Sequence, residues 1–200
     1  MEINSEQVKI LRDKTGAGMM DCKKALMETG GNLDKAIEFL RKKGAATAEK
    51  RADRVTNQGI VEAYIHAGGR IGALVEVNCE TDFVAKTDDF KRLARDIAMQ
   101  ITAMSPLYIS RDEVSKDVQE HELDIYRTQA RNEKKPDQVI EKIALGKLEK
   151  YFQDVCLLEQ SYIKDAGRTI KDLILDLTAK TGEKVTIRRF TRFHLGESTS

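Results

Sequence analysis

The segment GIVEAYIHAGGRIGALVEVN, residues 59–78, constrains the fold more than any other part of this 200-residue chain. Two runs of β-type residues flank AGGR, and Gly68 and Gly69 supply the positive φ that a tight hairpin turn demands. The pattern predicts an antiparallel hairpin. A further run, KVTIRRFTRFHL at 184–195, can return to that hairpin as a third strand. Most of the remaining chain carries helical periodicity. The expected class is therefore α+β: three short N-terminal helices, then a small antiparallel sheet packed with helices.

Residues 1–54 read as the helical unit and 55–200 as the α+β core domain. Ser5 is placed to cap a first helix through EQVKILRDK, with Val8 and Leu11 on one face. TGAG at 15–18 breaks it. A second helix, MMDCKKALME, lines up Cys22, Ala25 and Leu26, and Gly30 and Gly31 end it. Asn32 caps a third, LDKAIEFLRKK, which Gly44 is expected to close. AATAEKRADRVTN, 45–57, either extends that helix or forms a linker. Adjacent helical positions lie about 100° apart, so Met19 and Met20 cannot both face one small core. One of them belongs at the surface, where a flexible thioether suits an adaptable contact.

Beyond the hairpin, Thr87 caps a helix striped by Phe90, Leu93, Ile97 and Ile101. SRDE at 110–113 has the form of a capping box opening a long polar helix toward residue 133. KKP interrupts the chain, and DQVIEKIALGKLEKYF supplies another helix through Ile140, Ile143 and Leu148. TIKDLILDLTAKTG is a further amphipathic helix, and the chain ends in a soft GESTS tail.

Chemistry is scarce. The three histidines, His66, His121 and His194, stand apart with no ligand spacing, which argues against a metal site. Neither GxxxxGK[ST] nor GxGxxG occurs, so no nucleotide cofactor is expected. Cys79 and His66 could form a nucleophile and base across the hairpin, but no oxyanion motif surrounds them. Basic residues number 34 and acidic residues 33, so the balance of charge gives no case for nucleic acid. Arg188, Arg189 and Arg192 interleave with Phe190 and Phe193, yet solvated arginines on an edge strand explain them better. No run approaches the roughly 18 apolar residues of a membrane span. MEINSEQVKILRDK is too charged for a signal peptide, and Cys22, Cys79 and Cys156 lie far apart without a CxxC. A reducing cytoplasm is expected.

EVNCETDFVAK, 76–86, begins as a strand and breaks into polar residues around a single Phe83, with Glu80 and Asp82 before it and Lys86 after. A core phenylalanine is one reading; a probe that enters a partner is the other. This stretch and LRDKTGAGMMDCKKAL, 11–26, closely resemble the two signature segments of the bacterial elongation factor Ts family, in order and in spacing. VCLLEQSYIKDAGRTIKDLI and VTIRRFTRFHLGE are similar to the end of that family's core, so the resemblance covers about residues 2–197. Longer members carry a second core subdomain and a coiled-coil insertion. This chain has room for one hairpin-and-helix unit and resembles the short form.

The resemblance implies a guanine nucleotide exchange factor without catalytic chemistry of its own, which binds elongation factor Tu in its GDP-bound and nucleotide-free states and promotes GDP release. It implies that the N-terminal helices adopt a ubiquitin-associated-like fold. Asp82 and Phe83 would push between two helices of the GTPase domain beside the Mg²⁺ and nucleotide, with Thr81 and Val84 shaping the loop tip. Leu11, Met19, Met20 and Lys23 would meet the same partner from the N-terminal unit. A homodimer through the exposed face of the C-terminal strand is also expected, because that edge otherwise needs protection. Two other readings stay open: a binding adaptor using TGAGMM alone, and an enzyme built on Cys79.

Overall fold

Asn4, rather than Ser5, starts the first helix. Its Oδ1 accepts the Glu6 N–H at 3.0 Å, and Gln7 Oε1 accepts the Asn4 N–H at 3.3 Å. This reciprocal cap moves Ser5 inside helix α1, Ser5–Thr15. The computed structural model describes residues 3–197, apart from the side chains at 45 and 47–49; the last residues of the GESTS tail lie outside it. Helix α2 spans Met19–Glu28 and α3 spans Leu33–Glu49. Asn32 caps α3, its Oδ1 accepting the Lys35 N–H at 2.9 Å. Val8, Leu11, Cys22, Ala25, Leu26 and Ala36 close a small apolar core among these helices.

Strands β1, Gln58–Ile65, and β2, Ile71–Cys79, form the expected hairpin. Strand β5, Thr186–His194, returns beside β2, giving the antiparallel order β1-β2-β5. Gly59 makes the close approach of β1 to β2: its φ is 152°, and a Cβ there would lie 2.1 Å from the Val77 carbonyl oxygen. No other residue fits at that point. The α+β class expected from the sequence is the class observed.

Two further expectations need correction. Gly44 does not end α3, which runs on to Glu49; Gly44 is buried where a Cβ would meet the Ala179 Cβ at 3.3 Å. It serves close packing against helix α8, Ile170–Thr181, rather than termination. SRDE does not open the polar helix. It forms a 3-10 turn in which Glu113 Oε2 accepts the Ile109 N–H at 2.8 Å. Helix α6, Lys116–Asn132, starts later, with Ser115 Oγ accepting the Val118 N–H at 3.3 Å. Finally, the sequence reading has no counterpart for the two-stranded pairing of β3, Ser161–Tyr162, with β4, Asp165–Thr169.

The described chain divides into two compact units. One holds the residues up to Ala63, Leu74–Asp96 and Asp172–Phe190. In it α8 returns from far along the chain to pack on α3, with Arg41 paired to Asp172 at 3.0 Å. The other holds Tyr64–Ala73, Ile97–Lys171 and the residues from Thr191. It contains α6 paired with α7, Asp137–Val155, over a core that includes Val114, Leu123, Leu148 and Phe152. Its polar centre is Gln100, fully buried, whose Nε2 donates to Gln160 Oε1 at 3.2 Å and to the Ser161 carbonyl at 3.0 Å. Gln100 Oε1 accepts the Ile163 N–H at 3.0 Å, so the buried amide is satisfied on both sides.

Candidate partner-binding site

β2 ends at Cys79, and the chain turns at once into α4, Asp82–Ala85, a single helical turn. The step of about 100° per residue decides which way each side chain faces. Val84 and Ala85 go inward and are buried, while Phe83 points outward, 81% exposed. Thr87 closes the turn: its Oγ1 donates to the Val84 carbonyl at 2.7 Å and accepts the Phe90 N–H at 3.3 Å. The latter bond caps α5, Asp88–Met104. A core role for Phe83 is ruled out by its exposure. The large aromatic of this region that packs inside is Phe90, which is fully buried.

The acids around Phe83 have different tasks. Asp82 pairs with Lys86 at 2.6 Å along the exposed side of the turn. The Lys86 ammonium holds the Asp82 carboxyl below its ordinary value of 3.8. Glu80 faces the other way and accepts the Lys184 N–H at 2.6 Å and Arg54 Nη1 at 2.9 Å. The Lys184 amide, ahead of Arg54, lowers its pKa. Lys184 Nζ in turn donates to the carbonyls of Ala52 and Arg54. Thr81 is held by Glu183, which accepts both its N–H and its hydroxyl. Glu183, Lys184 and Arg54 were not anticipated. They sit far from the TDFV stretch in sequence, and no local pattern marks them.

In the N-terminal helices both Met19, 57% exposed, and Met20, 75% exposed, face solvent, so neither belongs to the core. Lys23 is exposed on the same helix. Leu11 is different: it is fully buried, and it packs α1 in one core with α2, the helix that carries the methionines. The turn after α1 and the start of α5 also meet one side chain of α8. A Cβ at Gly16 would be 3.3 Å from Lys180 Cδ, and Lys180 Nζ reaches Asp89 on α5 at 2.5 Å.

Cys79 is not an activated nucleophile. Burial, reinforced by the Glu183 charge, pushes its thiol up to about 11, and Sγ donates to the Thr81 carbonyl at 3.1 Å. His66 instead meets the Tyr64 hydroxyl at 3.2 Å. Among the described residues no group of three or more His, Cys, Asp or Glu side chains is placed to hold a metal ion. No helix among them is long and apolar enough to cross a membrane.

An exposed aromatic on a braced turn, joined to a methionine-bearing helical unit, defines a protein that works by docking to another protein. The chain belongs to the elongation factor Ts family, whose model matches residues 8–197. It is 57% identical over 196 residues to elongation factor Ts of Desulfitobacterium hafniense, covering 98% of this chain and 90% of that one. Identity to the Carboxydothermus hydrogenoformans protein of the same name is 60% over 195 residues, again 98% and 90% of the two chains. Elongation factor Ts of Thermotoga petrophila is 57% identical over 197 residues, 98% of each chain. As a member of this family the chain is a nucleotide exchange factor for elongation factor Tu in translation elongation, without catalytic chemistry of its own.

Proposed function

We propose that the chain speeds GDP release from elongation factor Tu by inserting Phe83 between two helices of the GTPase domain beside the nucleotide, allowing GTP to rebind. One observation carries this reading: Phe83 stands 81% exposed on a turn whose other apolar residues, Val84 and Ala85, are buried. A large side chain held out of the core in this way gains its burial energy only in a partner. Burying one phenylalanine yields about 1.5–3 kcal/mol, comparable to the roughly 1–3 kcal/mol of coupling typical between two sites. GDP and Mg²⁺ are held in the partner by closely matched charge and geometry, so a small displacement of the flanking helices weakens both. By linkage, GDP must weaken binding of this chain as much as this chain weakens GDP. One ring supplies part of that energy, and Met19, Met20 and Lys23 supply further contact from the N-terminal unit, on the helix α2 that shares a core with Leu11. Asp82 acts beside Phe83 by perturbing the groups that hold Mg²⁺, and Thr81 and Val84 fix the loop tip.

The test is release of fluorescent GDP from preloaded elongation factor Tu on mixing with the wild-type chain or Phe83→Ala. The expected result is slow release by a variant whose melting curve matches wild type. A stable variant that releases GDP at the wild-type rate would remove the wedge.

A homodimer is proposed alongside, through the outward face of β5, which forms one edge of the sheet and exposes Arg188, Arg189 and Phe193. Sedimentation equilibrium at roughly tens of micromolar, the range of a weak complex, tests it. A monomer there ends this part of the reading and leaves the exchange activity untouched.

A further inference from the structure

The turn that carries Phe83 is held from a site 102 residues away. Glu183 lies between α8 and β5. Its Oε2 accepts the Thr81 N–H at 3.0 Å and its Oε1 accepts the Thr81 hydroxyl at 2.6 Å. Thr81 is the N-cap residue of α4, with φ −127° and ψ 156°. A threonine there ordinarily accepts a first-turn amide, which stabilises the helix start. This one forms no side-chain cap bond. Its hydroxyl proton goes to Glu183 instead. Local stability is given up for a tether that sets where the turn begins.

The neighbouring contacts have the same sense. Cys79 Sγ donates to the Thr81 carbonyl, and Glu80 takes the backbone N–H of Lys184, the residue after Glu183. A single helical turn cannot hold its own shape in water. The direction of its exposed ring is therefore set by what grips its base.

We propose that Glu183 is a positioning residue for nucleotide exchange: its two-point grip on Thr81 aims Phe83 at the partner. The proposal rests on the reading of Phe83 as a wedge. Glu183 acts through Thr81, and the task it performs is preorganisation. A turn already ordered when it meets the partner spends less of its contact energy on its own ordering, leaving more to displace helices there. Loss of the grip should then lower the maximal rate of release more than it weakens docking, since the Met19 and Met20 surface is unaffected.

The experiment uses the full chain and elongation factor Tu loaded with fluorescent GDP. The maximal release rate and the half-saturating concentration are measured for Glu183→Ala, Glu183→Gln, Thr81→Val, Phe83→Ala and the double variant Phe83→Ala with Glu183→Ala. Glu183→Ala is expected to lower the maximal rate roughly tenfold while the half-saturating concentration moves about twofold or less. Glutamine should rescue it. Its Oε1 can accept the Thr81 N–H while its Nε2 donates to a hydroxyl that turns to accept, so both links survive. The double variant should be no slower than Phe83→Ala alone, because the aim of an absent ring does not matter. A Glu183→Ala chain at the wild-type rate overturns the proposal, as does a glutamine variant as slow as alanine. Additive loss in the double variant also overturns it, since a general structural role predicts additivity.

Should Glu183→Ala fail to fold, Thr81→Val decides: it keeps the N–H link and loses only the hydroxyl link. A folded Thr81→Val with a lowered maximal rate supports the grip, and one at the wild-type rate overturns it. If Phe83→Ala itself releases GDP at the wild-type rate, the wedge reading has failed. If Phe83→Ala is slow and Glu183→Ala is not, only the positioning role has failed.

Discussion

Leu11 and Met20 sit on adjacent helices of one small bundle, and truncation should affect them in opposite ways. Leu11 is fully buried, and Leu11→Ala is expected to destabilise by about 2–5 kcal/mol, read from urea unfolding. Met20 is 75% exposed, so Met20→Ala should change stability by no more than about 0.5 kcal/mol while weakening binding to elongation factor Tu. Equal stability losses for the two would return Met20 to the core. At the loop, Asp82 and Phe83 are neighbours with one target, so a double-mutant cycle on GDP release should show coupling rather than additivity. The Asp82–Lys86 pair should persist well into acid. Because Lys86 lowers the Asp82 pKa, the pairing is present above the ordinary value of 3.8 and is lost only as pH falls through the depressed value. A carboxyl NMR titration with its midpoint above 3.8 would contradict that pairing.

At the scale of elements, helix starts and strand approaches depend on single residues. Asn32→Ala removes the α3 cap and should cost about 1 kcal/mol, whereas Ser5→Ala should cost much less because Asn4 is the cap of α1. Comparing the two by urea unfolding checks the assignment. Gly59→Ala is a harsher change. An added Cβ 2.1 Å from the Val77 carbonyl oxygen forces β1 away from β2, just upstream of the TDFV turn. The expected loss is about 2 kcal/mol or more, and thermal unfolding at the wild-type temperature would show the strands are not so closely set.

For the whole molecule, the buried thiols predict a response to alkali. Burial pushes both Cys79 and Cys156 to about 11 from an ordinary 9.0, so each keeps its proton longer folded than unfolded. Their contribution to stability is complete below the ordinary value and is lost as pH rises through that interval toward the folded value. Urea unfolding measured on either side of the window should show the decline, with a shallower slope for Cys79→Ala. An unchanged slope would mean that Cys79 does not titrate in this way.

The hairpin, the three N-terminal helices, the stripes of α5 and α8 and the return of a last strand were legible in the sequence, because period and glycine placement are local properties. So was the oddity of Phe83, since a polar stretch around one aromatic is visible without coordinates. What faces inward was less legible: a two-residue motif such as Met19–Met20 does not say that both side chains clear a core this small. Gly44 read as a stop because a helix-interior glycine is costly by itself, yet close packing against Ala179 repays it. The division into compact units and the grip of Glu183 on Thr81 depended on tertiary structure alone. Both are made by segments about a hundred residues apart, and a hydrogen bond between them leaves no periodicity in either.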